Sequence, residues 1–137
     1  MNFVVQEDKT GCALASVAAL AGVSYRGVKR EAQKMGIDVR DPRLWSDTTP
    51  VRRLLKRFRI SAGGSERRFQ SWKALPKTAL LALKWHQEGG RSCWHWAVFV
   101  RRGDKACVLD SKKALRKHRR RDFGRMKPKW YIPILGA

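Results

Sequence analysis

The segment QEDKTGCALASVAALAG, residues 6–22, places one cysteine at the start of a run rich in alanine and leucine. Alanine and leucine favour helix, and Thr10 and Gly22 are typical of a helix start and a helix stop. We therefore predict a helix over residues 11–21, with Cys12 in its first turn. The unpaired N–H groups and the dipole at that end favour a thiolate, which makes Cys12 a candidate nucleophile.

The neighbours of Cys12 fit the same interpretation. Gly11 would leave room for a substrate, and the backbone N–H of Cys12 at the helix start could donate to an oxyanion. Gln6 could bring a second donor from its side-chain amide if the chain turns back between Asp8 and Gly11. The alternative for Cys12 is a small buried residue on an alanine-rich helix.

The first sixty residues are expected to be mostly helical. Ser24 is a cap for a second helix that ends before Gly36, and Thr49-Pro50 is typical of the cap and first position of a third. Its apolar stripe is expected at Val51, Leu54, Leu55 and Phe58.

The second half of the chain indicates antiparallel strands. Residues 78–85 are a continuous apolar run that suits a buried strand, with a helix as the alternative. Residues 94–100 and 105–109 are expected to be two strands joined by a hairpin turn at Arg101-Arg102-Gly103-Asp104. A final strand over residues 130–135 contains Pro133, which favours a sheet edge. Helices followed by an antiparallel sheet make the expected fold class α+β, in a single domain over residues 1–137.

A base for the thiol is predicted from the hairpin. Folding it about Arg102-Gly103 brings His95 opposite Asp110, within reach across two strands. The carboxylate could accept the Nδ1–H of His95 and stabilise the imidazolium, leaving Nε2 for the thiol. His86 is the competing base, expected in a loop, and His118 is expected to be solvated within a basic run.

Together these motifs resemble the papain-like cysteine peptidases. The glutamine, the Gly-Cys that opens an alanine-rich helix, His95-Trp-Ala-Val on one strand and Val-Leu-Asp110 on the next resemble most closely the bacterial peptidases that process double-glycine leader peptides. The resemblance implies a papain-like fold, with N-terminal helices packed on a C-terminal antiparallel sheet. It also implies that Cys12 attacks, His95 is the general base, Asp110 orients His95 and Gln6 builds the oxyanion hole. No metal or organic cofactor is called for.

Departures from that family lie at the nucleophile and after the acid. The family often has Asp-Cys-Gly-Pro or Gly-Cys-Gly-Pro around its cysteine and Asp-Pro after the second strand, whereas this chain has Gly11-Cys12-Ala13-Leu14 and Asp110-Ser111. The substrate does not follow from the resemblance.

The charge of the chain predicts anionic partners. Lysine and arginine number 31 against 11 acidic residues, a net charge of +20, and the pI is near 11.1. Such a surface attracts nucleic acid, anionic lipid or an acidic protein. The dense run over residues 112–121 is either a solvated face or a rim of the active cleft that selects an acidic peptide or protein substrate.

Three cysteines are an odd number and fit a reducing compartment, although a Cys93–Cys107 disulfide stays an alternative. No signal peptide and no membrane span are predicted, so a cytoplasmic monomer is expected, and delivery into another cell stays open. Trp85, Trp94 and Trp96 are expected in the core or lining a cleft, rather than stacking on bases.

Two other functions stay open: an inactive, basic papain-like scaffold that binds nucleic acid or an acidic partner, and a toxin-like effector that performs amide hydrolysis or acyl transfer.

Overall fold

The computed structural model describes residues 1–136 as helices packed against one antiparallel sheet, an α+β architecture. Four helices are present: α1 (Cys12–Ala21), α2 (Tyr25–Lys34), α3 (Thr49–Arg57) and the short α4 (Phe123–Met126). A 3₁₀ turn, Pro42–Trp45, connects α2 to α3. Among the described residues, no helix has the length and apolar character that crossing a bilayer would require.

The three main helices begin and end close to the predicted residues. Gly22 ends α1 in the left-handed conformation, and the Ser24 hydroxyl caps α2 by accepting a hydrogen bond from the Gly27 N–H. The cap of α3 is Thr48 rather than Thr49, so Pro50 is the second helical residue. The start of α1 also differs from the prediction: Gly11 is its N-cap, while the Thr10 hydroxyl donates to the Val39 carbonyl 2.8 Å away.

Seven strands form the sheet, in the order β1-β7-β3-β4-β5-β6, with β2 also paired to β7. Their bounds are β1 Ser61–Ala62, β2 Arg67–Arg68, β3 Thr78–Glu88, β4 Arg91–Arg102, β5 Lys105–Leu109, β6 Arg119–Arg120 and β7 Trp130–Gly136. The predicted hairpin of β4 and β5 is confirmed, with Arg102 opposite Lys105 at its turn. β3 is longer than predicted and includes His86, so the loop position predicted for His86 is wrong.

The edge position predicted for the last strand is wrong. β7 lies between β3 on one side and the short strands β1 and β2 on the other. Proline is tolerated there because β1 pairs with residues 134 and 136 and β2 with residues 130 and 131, so Pro133 falls between the two short ladders.

The two faces of the sheet bury different clusters. Alternate residues of β4, Trp94, Trp96 and Val98, pack with the helices in the larger core, in which the side chain of Trp96 is fully buried. Ala97 and Phe99 point to the other face and pack with a smaller cluster that contains Met126 of α4. The buried positions predicted for Trp94 and Trp96 are confirmed, but Trp85 is exposed and has the Lys129 Nζ 4.5 Å from its ring centre.

Candidate active site

Cys12 is the first residue of α1 and is almost fully buried, with 7% of its surface exposed. Because the N-cap is Gly11, no side chain caps the first N–H groups of the helix. The helical ladder starts one residue earlier, where the Ala15 N–H donates to the Gly11 carbonyl. The sulfur therefore sits at the positive end of a ten-residue helix whose first amides have no side-chain acceptor.

The glycine before Cys12 has a different role from the one expected. A Cβ on Gly11 would lie 2.1 Å from the Tyr25 hydroxyl oxygen, so the missing side chain makes room for Tyr25 and not for a substrate. Tyr25 donates a 2.6 Å hydrogen bond to the carboxylate of Asp8, which Lys29 also contacts. The bond from Tyr25, together with Lys29, outweighs the effect of burial and lowers the pKa of Asp8. These contacts fix the loop that leads into α1.

His95 lies on β4 and contacts Asp110, which follows directly after β5. The Nε2–H of His95 donates to Asp110 Oδ1 over 2.7 Å, and the side chains are only 17% and 1% exposed. Val98 pairs with Leu109, so His95 and Asp110 are diagonal neighbours rather than directly opposed, as the sequence had suggested. The expected orientation of the ring is also reversed: Nε2 faces the carboxylate, and Nδ1 is the ring nitrogen left for the thiol.

The carboxylate of Asp110 has a complete set of donors. Oδ1 also accepts from the backbone N–H of Lys112, and Oδ2 accepts from Arg120 at 2.9 Å. Burial raises the pKa of Asp110, but the bonds from His95, Lys112 and Arg120 outweigh burial and hold it well below the usual range. Arg120 also binds Asp122, so Arg120 anchors Asp110 to the segment around residues 120–122.

The Cys12 side chain lies close enough to His95 to affect the pKa of the imidazole. Burial lowers the pKa of His95, but the hydrogen bonds and the charges of Asp110 and Cys12 outweigh burial and raise it to about 9. His95 therefore carries its positive charge at neutral pH. An imidazolium beside a sulfur at a helix N-terminus is the environment in which thiolates are stabilised.

Gln6 is buried beside this group, but its amide is engaged by the protein itself. Its Nε2 donates to the carbonyls of Asp8 and Lys9, and its Oε1 accepts from the Ser111 hydroxyl at 2.8 Å. The backbone N–H of Gln6 donates to the Ser111 carbonyl. Both amide hydrogens are thus directed at backbone oxygens, so Gln6 ties the loop before Cys12 to the chain just after Asp110.

The structure brings Cys12, His95, Asp110 and Gln6 to one region although they are far apart in sequence. Sequence reasoning missed three further groups: Tyr25, Arg120 and Ser111. Tyr25 could have been sought because a lone glycine before a helix often marks a close approach. Nothing in the sequence distinguishes Arg120 from the other arginines of its basic run.

The remaining histidines and cysteines lie outside this group. His118 is half buried rather than solvated, stacks on Phe3 and donates from Nδ1–H to the Asp110 carbonyl. Cys93 and Cys107 are buried, and all three cysteines, which lie within the described residues, are free thiols. Ligand atoms of His86, Glu88 and Cys93 lie within 4.8 Å of one another, a set that could hold a metal ion at the far end of β3 and β4.

Cationic side chains lie near Gln6 and Asp110. Lys112 and Lys113 line a groove of about 380 Å³ together with residues 6–9. Lys84, in a left-handed conformation where β3 bulges, lies near Lys112 and Asp110, and burial together with the Lys112 charge lowers the pKa of Lys84. The acids of the groove, Glu7 and Asp8, are paired with Arg26 and Lys29, so the charge left in it is positive.

Comparison with known proteins identifies no relative. No protein-family model matches the chain, and neither a curated protein nor a solved structure matches it.

Proposed function

We propose that the protein is a cysteine peptidase of the papain-like type, in which Cys12, His95 and Asp110 form the catalytic triad. One observation carries the proposal: a thiol at a helix N-terminus lies near a buried imidazole, and that imidazole is hydrogen-bonded to a buried carboxylate. The helix that bears the thiol packs on the antiparallel sheet that positions the imidazole, which is also the arrangement that the resemblance implies.

The mechanism follows from the charges of these groups. The Cys12 thiolate attacks the substrate carbonyl carbon, and the pair of electrons in the carbonyl π bond moves to the oxygen. As the tetrahedral intermediate collapses, the C–N bond breaks and His95 transfers its proton to the leaving amine. Water then attacks the thioester with neutral His95 as base, which takes the proton from the water. The C–S bond breaks, the acid is released, and the Cys12 thiolate and the His95 imidazolium are regenerated. Asp110 holds the ring and stabilises its charged form throughout.

The oxyanion needs hydrogen-bond donors, and of the two candidates the backbone N–H of Cys12 is more available than the side-chain amide of Gln6. The backbone N–H of Cys12 belongs to the uncapped first turn of α1 and is the donor that we assign first. Gln6, the donor implied by the resemblance, would have to release one of its two carbonyl partners before it could bind a substrate oxygen. Whether or not Gln6 donates to the oxyanion, its bonds to Asp8, Lys9 and Ser111 hold the loop that leads to Cys12.

Hydrolysis of a peptide or isopeptide bond and acyl transfer to another acceptor share the same acyl-enzyme. The positive groove beside Gln6 supports a substrate with acidic residues near the scissile bond. The proposal therefore commits to thioester chemistry at Cys12 on an acidic peptide, with water as the acceptor.

The test uses two reagents that need no knowledge of the substrate. Iodoacetamide alkylates a thiolate directly, without forming an oxyanion. p-Nitrophenyl acetate acylates the thiolate through a tetrahedral intermediate that carries an oxyanion, and continued release of p-nitrophenolate shows that the thioester is then hydrolysed. We expect Cys12 to react with both faster than Cys93 or Cys107, as mapped by mass spectrometry, and His95→Ala to remove that preference. Equal labelling of the three thiols, or acylation without turnover in the wild type, would contradict the proposal.

A further inference from the structure

A second cationic cavity lies away from the thiol, at the turn end of the β4–β5 hairpin. It has a volume of about 390 Å³, and we name it the hairpin cavity. Six basic residues line it: Lys77, Arg101, Arg102, Lys105, Arg119 and Arg121. No aspartate or glutamate of residues 1–136 is among the residues that line it.

The positive charge of the hairpin cavity is not neutralised by the protein. Arg101 donates to the carbonyls of Trp72 and Leu75, and Arg119 donates to the Met1 carbonyl and the Asn2 side chain. These acceptors are neutral, so they orient the two guanidinium groups without cancelling their charge. Within the described part of the chain, no ion pair involves any of the six residues.

The acids nearest in sequence are directed elsewhere. Asp110 is bound by His95 and Arg120, and Asp122 is bound by Arg120. Asp104, in the turn between β4 and β5, does not line the cavity. Six like charges around one concavity repel one another, and an anion with several charges would relieve that repulsion.

We propose that the hairpin cavity binds the phosphodiester backbone of a nucleic acid. Four of the six cations are arginines, whose planar guanidinium groups match phosphate oxygens in a bidentate geometry. The site is concave, so cations on several walls reach one backbone, whereas a flat bilayer surface could contact only its rim. The lining carries no aromatic side chain that could stack on a base, so binding is independent of nucleotide sequence.

This binding is independent of the proposed peptidase activity. None of Cys12, His95, Asp110 and Gln6 lines the hairpin cavity. Loss of the thiol should therefore leave nucleic-acid affinity unchanged, and loss of the cavity cations should leave alkylation of Cys12 by iodoacetamide unchanged.

The experiment measures fluorescence anisotropy of a labelled DNA duplex of about 20 base pairs over a series of salt concentrations. The test variant carries Arg102→Ala, Lys105→Ala and Arg121→Ala, all at exposed positions. The matched control removes the same charge from the helices with Arg30→Ala, Lys34→Ala and Lys56→Ala. Thermal unfolding checks that both variants fold like the wild type, and Cys12→Ala is measured in parallel.

We expect the test variant to bind about tenfold or more weakly than the wild type near 100 mM salt, with the slope of log K against log salt reduced by roughly 2 to 3. The control should lose less than about threefold, and Cys12→Ala should lose nothing. Equal losses in the test and control variants would overturn the proposal, because total charge alone would then explain binding. So would a wild type that fails to bind the duplex, or a dependence on these three residues seen only with phosphatidylserine vesicles.

Discussion

His95, inside β4, donates a 2.7 Å hydrogen bond from Nε2 to Oδ1 of its diagonal neighbour Asp110, which directly follows β5. The bond leaves Nδ1 for Cys12 and places a buried negative charge behind the ring. Each role assigned to Cys12 depends on this pair, because the pair sets both the orientation of the imidazole and its charge.

Replacing Asp110 with asparagine tests this dependence. Asp110→Asn keeps the shape but removes the charge, so the imidazolium loses its main stabilisation and the ring can adopt the wrong tautomer. We expect alkylation of Cys12 by iodoacetamide at pH 7 to slow by about tenfold or more. Asp122→Asn is the control, since it changes a carboxylate bound to the same Arg120 and should slow alkylation only slightly. Similar rates in both variants would show that the Asp110 charge is not required.

The raised pKa of His95 predicts how stability changes with pH. The pKa of His95 is about 9 in the folded protein and near 6.5 in the unfolded chain. Protonation of His95 therefore stabilises the fold. This stabilisation is complete below pH 6.5 and is lost as the pH rises through 9. The unfolding free energy of the wild type relative to His95→Gln should therefore be up to about 3 kcal/mol greater below pH 6.5 than above pH 9, with the change falling between these two values. Chemical denaturation across this range measures it. A difference that grows with pH would mean that His95 is neutral in the folded protein.

Gly11→Ala should destabilise the protein through Tyr25. The new Cβ would lie 2.1 Å from the Tyr25 oxygen and force the ring away from Asp8. We expect a loss of about 1 to 3 kcal/mol, measured by urea denaturation. Gly64→Ala is the matched control because nothing lies within 4 Å of its added Cβ and its backbone is not left-handed. Equal effects of the two substitutions would contradict the packing argument.

Local patterns predicted most of the elements. The αL stop at Gly22, the Ser24 cap and the residues of β5 follow from short-range rules, and all three are confirmed. The position of β7 could not be predicted, because it depends on pairing with the two-residue strands β1 and β2, which carry no periodic signal of their own.

Local patterns also predicted one part of the candidate site, the pairing of His95 with Asp110. Counting along a hairpin brings His95 and Asp110 to one face even when the register is shifted by two residues, because a shift of two preserves the face. The contact between Cys12 and His95 joins two distant segments, so only the resemblance suggested it. The bonds of Gln6 to the Asp8 and Lys9 carbonyls depend on the loop conformation, which no motif encodes.

Gln6 can be tested as an anchor and as an oxyanion donor with the same two reagents. Alkylation by iodoacetamide develops no oxyanion, whereas acylation by p-nitrophenyl acetate does. If Gln6 donates to the oxyanion, Gln6→Ala should slow acylation about tenfold more than alkylation. Ser111→Ala, which removes only the partner of Gln6 Oε1, is the control and should affect both reactions equally. Equal slowing of both reactions by Gln6→Ala would restrict Gln6 to anchoring the loop.

The basic run divides between two surfaces, and its first part should act at the thiol. Lys112 and Lys113 line the groove beside Gln6, whereas Arg119 and Arg121 line the hairpin cavity. Iodoacetate and iodoacetamide differ in charge but alkylate by the same step, so the ratio of their rates reports the potential at Cys12.

We expect that ratio to fall about threefold or more when Lys112 and Lys113 are both replaced by alanine, and to fall similarly when salt is raised in the wild type. The control variant, with Arg30→Ala and Lys56→Ala, removes two charges from α2 and α3 and should leave the ratio within about 30% of the wild-type value. The imidazolium of His95 attracts iodoacetate in every variant, so only the change between variants measures the lysines. A ratio that does not respond to Lys112→Ala and Lys113→Ala would refute an acidic preference at this groove, while rapid alkylation of Cys12 by iodoacetamide would leave the proposed nucleophile in place.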